Sequence, residues 1–225
     1  MPGCAPDFRT IEGPSAMRIP ALLALAALAA GAPAFALDGD AEAGQTKAAV
    51  CGACHGVDGN STDPQYPKIA GQHASYIADQ LDKYKSQQRM NPIMLGFAMP
   101  LSEQDMADLG AYFASQAVKP DIADEALLEK GQTLYRNGDA KRGIPACMAC
   151  HGPAGRGMPF VNYPSLSHQH AQYTTDMLKR FRNGEVHGPA DDPKAQIMAQ
   201  VAKQLTDEEI TAVASYVQGL GPATR

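Results

Sequence analysis

Cys51-Gly-Ala-Cys54-His55 and Cys147-Met-Ala-Cys150-His151 set the terms on which this chain is read. Each pentapeptide carries thiols at i and i+3 with an imidazole directly behind the second. Residues three apart share one side of a helical turn. Two such thiols can form thioether bonds to the vinyl groups of a haem, and the adjacent histidine is then held under the iron as an axial ligand. A Cys4 zinc site or a pair of redox-active dithiols would use the same cysteines. Neither calls for a histidine after both pairs, and neither accounts for what surrounds them.

What surrounds them is a repeat. The two motifs stand 96 residues apart. Tyr66-Pro67-Lys68-Ile69 returns as Tyr163-Pro164-Ser165-Leu166, and His73-x-x-Tyr76 as His170-x-x-Tyr173, both at an offset of 97. Leu101-Ser102-Glu103-Gln104-Asp105 answers to Leu205-Thr206-Asp207-Glu208-Glu209 at 104. The same order with a slowly growing offset marks a duplicated module with loop insertions rather than a solenoid of short repeats.

The periodicity inside each copy is helical. Tyr76, Gln80, Leu81 and Tyr84 share one face, matched by Tyr173, Met177, Leu178 and Phe181. Ser102 with Asp105, and Thr206 with Glu209, have the spacing of capping boxes ahead of the apolar stripes Met106, Leu109, Phe113 and Ile210, Val213, Ala214, Val217. A short helix over residues 41–50 leads into the first cysteine pair. No segment sustains period-two alternation, so the fold class is all-α. The halves divide near Val118-Lys119-Pro120-Asp121, giving domains 37–120 and 121–225.

Ahead of them, residues 17–36 read MRIPALLALAALAAGAPAFA. One basic residue, an apolar run, helix breakers and a small-x-small triplet make a secretory signal, with the start expected at Met17 and cleavage after Ala36. The run is short of the ~20 apolar residues that a membrane-spanning helix needs. Cys4 leaves with the leader, and the other four cysteines form the two pairs. The expected mature chain is exported, soluble and not membrane-spanning.

Composition narrows the partners. With 19 Lys plus Arg against 24 Asp plus Glu, the chain of 225 residues carries −5 and lacks the basic surface that nucleic acid needs. Residues 37–120 hold 10 acids and 6 bases, residues 121–225 hold 12 and 11, an imbalance suited to different partners for the two halves. Tryptophan is absent, aromatics are 6%, and there are 21 glycines and 17 prolines. Halves so poor in large core side chains are small for self-sufficient cores, and a large apolar cofactor in each makes up the deficit. The cofactors expected are two covalently bound haem c groups.

The sixth ligand separates electron transfer from chemistry on a bound substrate. Met94 stands eight residues before Ser102 and Met198 eight before Thr206, a match across the repeat. Thioether opposite imidazole favours Fe(II) and leaves no open position. Met90 and Met99 are the alternatives in the first copy, and bis-histidine ligation through His73 and His170 is a further one. Pro67 and Pro164 follow His55 and His151 by 12 and 13 residues. Each can offer a carbonyl to the histidine Nδ1–H or simply turn a loop. Lys83, Lys85, Arg180 and Arg182 read as a solvated basic face, and His168 and His187 as surface residues.

At these motifs the chain resembles the dihaem cytochrome c4 family. AAVCGACHGVDGNS, YPKIAGQ, LSEQDMADLGAYFASQ, PACMACHGPAGRG and the closing ASYVQGL carry the likeness from about residue 40 to 220. The resemblance implies two tandem class I cytochrome c domains about an approximate twofold axis, haem propionate edges meeting near the interface, Met94 and Met198 as sixth ligands, and Pro67 and Pro164 as carbonyl partners of the axial histidines. It implies a monomeric periplasmic electron carrier, not an enzyme, taking electrons from a cytochrome bc complex or a dehydrogenase and passing them to a terminal oxidase or reductase. The competing expectations are a peroxidase-like or thiosulfate-oxidising dihaem enzyme, which needs a vacant or unusual iron ligand, and a fixed subunit of a membrane complex.

Overall fold

The computed structural model describes residues 38–221, and the segment read as an export signal lies outside the described residues. Among the described residues, ten α-helices form two sets of five. The first set is α1 (Ala41–Lys47), α2 (Gly52–His55), α3 (Ala74–Lys85), α4 (Pro92–Ala98) and α5 (Glu103–Ser115). The second is α6 (Glu125–Asn137), α7 (Met148–His151), α8 (Ala171–Arg182), α9 (Pro193–Ala202) and α10 (Asp207–Gly219). Among the described residues, β pairing is limited to the isolated bridges Asp139–Ile144 and Met158–Tyr163.

Each set is built around its last helix. Both of these helices begin at the expected capping boxes: Ser102 accepts from the Asp105 backbone and Asp105 from the Ser102 backbone, with Thr206 and Glu209 doing the same. In the first set α5 packs on α1 and α3; in the second α10 packs on α6 and α8. The crossings are tight because Gly44 of α1 and Gly131 of α6 face the backbone of the last helix. Ile77, Leu109 and Phe113 form the first core, and Tyr135, Ile210, Val213 and Val217 the heart of the second.

The basic residues near the ends of α3 and α8 do more than face solvent, which corrects the reading of them as a solvated face. Lys85 donates to the Leu101 carbonyl, and Arg182 to the Leu205 carbonyl at 3.0 Å, so repeat-related cations secure the chain entering each last helix. Lys83 pairs with Asp79 at 2.8 Å, one helical turn away. The two sets meet chiefly through loops. His170 Nε2 lies 3.0 Å from Ser61 Oγ, Ser75 Oγ donates to Asn162, and the Gly188 N–H donates to the Gln88 carbonyl.

Candidate haem sites

Each Cys-x-x-Cys-His motif occupies one helical turn, α2 or α7, and stops where the next residue is glycine. Gly56 has φ +78° and Gly152 φ +76°, a backbone region that side chains with a Cβ rarely adopt. The chain then doubles back on itself. The N–H groups of Ile69 and Ala70 donate to the Gly59 carbonyl, and those of Leu166 and Ser167 to the Gly155 carbonyl. This stitch brings each Tyr-Pro dipeptide beneath its histidine.

There His55 Nδ1 lies 2.9 Å from the Pro67 carbonyl oxygen, and His151 Nδ1 lies 3.0 Å from that of Pro164. A carbonyl oxygen only accepts, so Nδ1 carries the proton. Burial pushes both imidazoles below their usual pKa, with the proline carbonyl opposing that shift, so the rings are neutral at neutral pH. A neutral ring protonated at Nδ1 presents a bare lone pair at Nε2, the form that ligates a metal.

The thiols fit covalent attachment better than the alternatives. Cys51, Cys54, Cys147 and Cys150 are all unpaired and half-buried. Burial raises the Cys51 pKa and pushes Cys147 up to about 11, whereas a redox-active dithiol needs a thiol lowered toward neutrality. Among the described residues no three His, Cys, Asp or Glu side chains come together to hold a metal ion, so a shared Cys4 zinc site is not formed. Cys51 instead packs against the first apolar core, as do Ile69, Leu81 and Leu101, and Cys147 against the second, which includes Leu205 and is also met by Leu166 and Leu178. An apolar wall, two thiols and a lone-pair imidazole make a chemically complete donor set for a covalently held haem.

The candidate sixth ligands lie on α4 and α9, two helices that periodicity does not reveal. Asn91 accepts from the Ile93 and Met94 N–H groups, and Asp192 from that of Lys194, with a proline at the first helical position of each. Met94 and Met198 are half-buried, whereas Met90 is 62% and Met99 54% exposed. His170 is spent on Ser61, across the boundary between halves. His73 Nε2 is buried without a hydrogen-bond partner among the described residues.

Two histidines expected on the surface are not there. His168 is 8% exposed, its Nδ1 near both the Asp121 N–H and the Gln218 carbonyl at 3.3 Å. His187 packs on Phe181, and burial with the charges of Arg89, Lys83 and Arg180 drives its pKa down to about 2. His168 holds a contact between distant segments, which a lone unrepeated histidine gives no sign of in sequence. Arg89 was equally illegible. It is buried, donates to Gln80 Oε1 at 2.7 Å and to Tyr173 OH at 2.9 Å, and lies 4.7 Å over the Tyr84 ring. A buried cation facing phenols has no local sequence signature.

The chain matches the cytochrome c family over residues 41–117 and 128–221. It is similar to cytochrome c4 of Thiocapsa roseopersicina, with 49% identity over 81% of this chain and 93% of that protein. It is 35% identical, over 89% of its length and 94% of the relative's, to the thiosulfate dehydrogenase electron acceptor of Stutzerimonas stutzeri strain A1501. The crystal structure of reduced recombinant cytochrome c4 from Pseudomonas stutzeri aligns with a TM-score of 0.77 and 45% identity, covering 81% of this chain and 99% of that one.

Proposed function

Because this chain belongs to the cytochrome c4 family of dihaem electron-transfer proteins, we propose that it is a periplasmic carrier whose irons are held by His55 with Met94 and by His151 with Met198. The protein carries two covalently bound haem c groups, one on each cysteine pair, and is not an enzyme. Bound haem supplies one-electron Fe(III)/Fe(II) chemistry. The polypeptide attaches it, holds a neutral imidazole toward it, surrounds it with apolar side chains and closes its remaining position.

The observation that carries the ligand assignment is the imidazole geometry, found twice. In each half Nδ1 is committed to a proline carbonyl, leaving Nε2 as the only donor atom of the ring. The half-buried placement of Met94 and Met198 on equivalent capped helices supports their pairing with it. Six-coordinate iron leaves no position for substrate, which suits a carrier and not a peroxidase. The family match over 41–117 and 128–221 supports the division into domains 37–120 and 121–225. Among the described residues no helix is long and apolar enough to cross a membrane. Together with the signal-like residues 17–36, this supports a released periplasmic form rather than a fixed membrane subunit.

As donor we assign a cytochrome bc complex or a dehydrogenase, and as acceptor a terminal oxidase or reductase. The likeness to a thiosulfate dehydrogenase electron acceptor favours a dehydrogenase as one donor. The test is the spectrum of the reduced holoprotein with and without carbon monoxide. Neither haem should respond; stoichiometric binding at one haem would overturn the methionine assignment there. Mixing the oxidised protein with purified thiosulfate dehydrogenase and thiosulfate then tests the donor. Reduction at a rate no greater than the enzyme-free background would remove that donor from the assignment.

A further inference from the structure

Two glutamines, Gln72 and Gln169, stand at the repeat offset of 97 and reach into opposite halves. The Gln169 side chain accepts from the Lys68 N–H at 2.9 Å and donates to the Lys68 carbonyl at 2.8 Å. The Gln72 side chain accepts from the Ser165 N–H at 2.8 Å and donates to the Ser165 carbonyl at 2.9 Å. Both glutamines are 8% exposed. Each amide oxygen also takes the backbone N–H of its own next residue, His73 or His170, which fixes its direction.

Lys68 and Ser165 are not arbitrary anchor points. The Lys68 N–H and the Pro67 carbonyl belong to one peptide group, and that carbonyl accepts from His55 Nδ1. The Ser165 N–H and the Pro164 carbonyl likewise form one peptide group, which accepts from His151 Nδ1. A peptide whose N–H is engaged by an amide oxygen becomes a better acceptor at its own carbonyl, because hydrogen bonds in a chain polarise one another. A stronger acceptor at Nδ1 raises the basicity of the ligating imidazole and stabilises the ferric iron.

We propose that Gln169 and Gln72 are crossed positioning residues: each glutamine tunes, through one peptide group, the iron-ligating histidine of the other half. The reduction potential of each haem then depends on contact with the other domain. This rests on His55 and His151 being the axial ligands. It also goes beyond holding the domains together, because a purely docking contact has no reason to engage the same peptide that receives the histidine proton, and to do so twice.

The experiment measures both midpoint potentials in holoprotein carrying Gln169→Met or Gln72→Met, with the haems assigned to their halves by NMR. Q169M should raise the potential of the haem on Cys51 and Cys54, increasing its reduced-to-oxidised ratio at fixed potential about threefold, or ~28 mV at 59 mV per tenfold for one electron. The other haem should hold steady, and Q72M should give the mirror result. In the reduced protein with ¹⁵N-labelled histidine, the His55 Nδ1–H resonance should move upfield in Q169M. Equal movement of both haems in either variant, or movement of neither, overturns the proposal. If the iron-bound imidazoles of the unmodified protein are not those of His55 and His151, the ligand reading fails instead. Q169N, whose amide is one methylene too short to reach Lys68, serves if Q169M does not accumulate and should behave alike. S75A, which removes a hydrogen bond between the halves away from the relay, should leave both potentials unchanged.

Discussion

Replacing Gly131 with alanine tests the packing that both halves share. A Cβ there would stand 2.2 Å from the Ala212 carbonyl oxygen and 2.7 Å from Tyr216 Cβ. Carbon atoms settle at about 3.5–4.0 Å, so α6 and α10 must part by roughly an ångström to admit the methyl. Overpacking of this kind costs about 1–3 kcal/mol. The upper end applies, because the obstructing atoms are helical backbone and cannot rotate aside. Alanine's better helix propensity offsets about 1 kcal/mol, for a net loss of about 2 kcal/mol. In a chain of this size each kcal/mol moves the midpoint by about 2–4 °C, so scanning calorimetry of holoprotein should show a fall of about 4–8 °C. Gly96→Ala is the control. It lies on α4 with nothing within 4 Å of the new methyl, so the midpoint should rise slightly. A G131A midpoint at or above the unmodified protein, with G96A behaving as expected, would refute the close-crossing argument.

Gly44→Ala should act in the same direction in the first half, where the Cβ would meet the Asp108 carbonyl oxygen at 2.0 Å. Removing either capping box, by Ser102→Ala or Thr206→Ala, should cost about 1 kcal/mol in urea unfolding, each in its own half. The Asp108 carboxyl is held down to about 2 from 3.8, first by Lys47 and then by the Asp40 N–H and Gln104. Its folded form therefore keeps the charge to lower pH than the unfolded chain does. The stability that follows is complete above about pH 4 and disappears as pH falls toward 2. Asp108→Asn should flatten that part of the pH–stability curve, and an unchanged acid transition would show the pair to be inert. Met198→Ala should open one iron, seen as stoichiometric carbon monoxide binding at a single reduced haem.

Much of the site was legible because its chemistry is local. Two thiols and an imidazole need only one turn of helix, and the capping boxes need only four residues. Duplication carried the expectation further, since Met94 and Met198 stand out by register against Met90 and Met99. Helices α4 and α9 escaped periodicity because they are short, yet Asn91-Pro92 and Asp192-Pro193 were signals of a cap followed by a helix start. His168 and His187 were misjudged because burial depends on which distant segments come to lie over a residue. The basic pairs at the ends of α3 and α8 were misjudged for the same reason, the Leu101 and Leu205 carbonyls being 16 and 23 residues away.

Sequence alone determined the two haem attachment sites, the all-α class, the duplication and the family, because each rests on covalent spacing or helical period, which chain order carries directly. Only the tertiary structure decided what joins the halves. The contact from Gln169 to Lys68 spans 101 residues and that from Gln72 to Ser165 spans 93. Glutamine at such a position looks like any polar loop residue until the other half is brought against it. Its partner is a backbone peptide, which has no side-chain identity to read, so pairing of this kind exists only once the chain has folded.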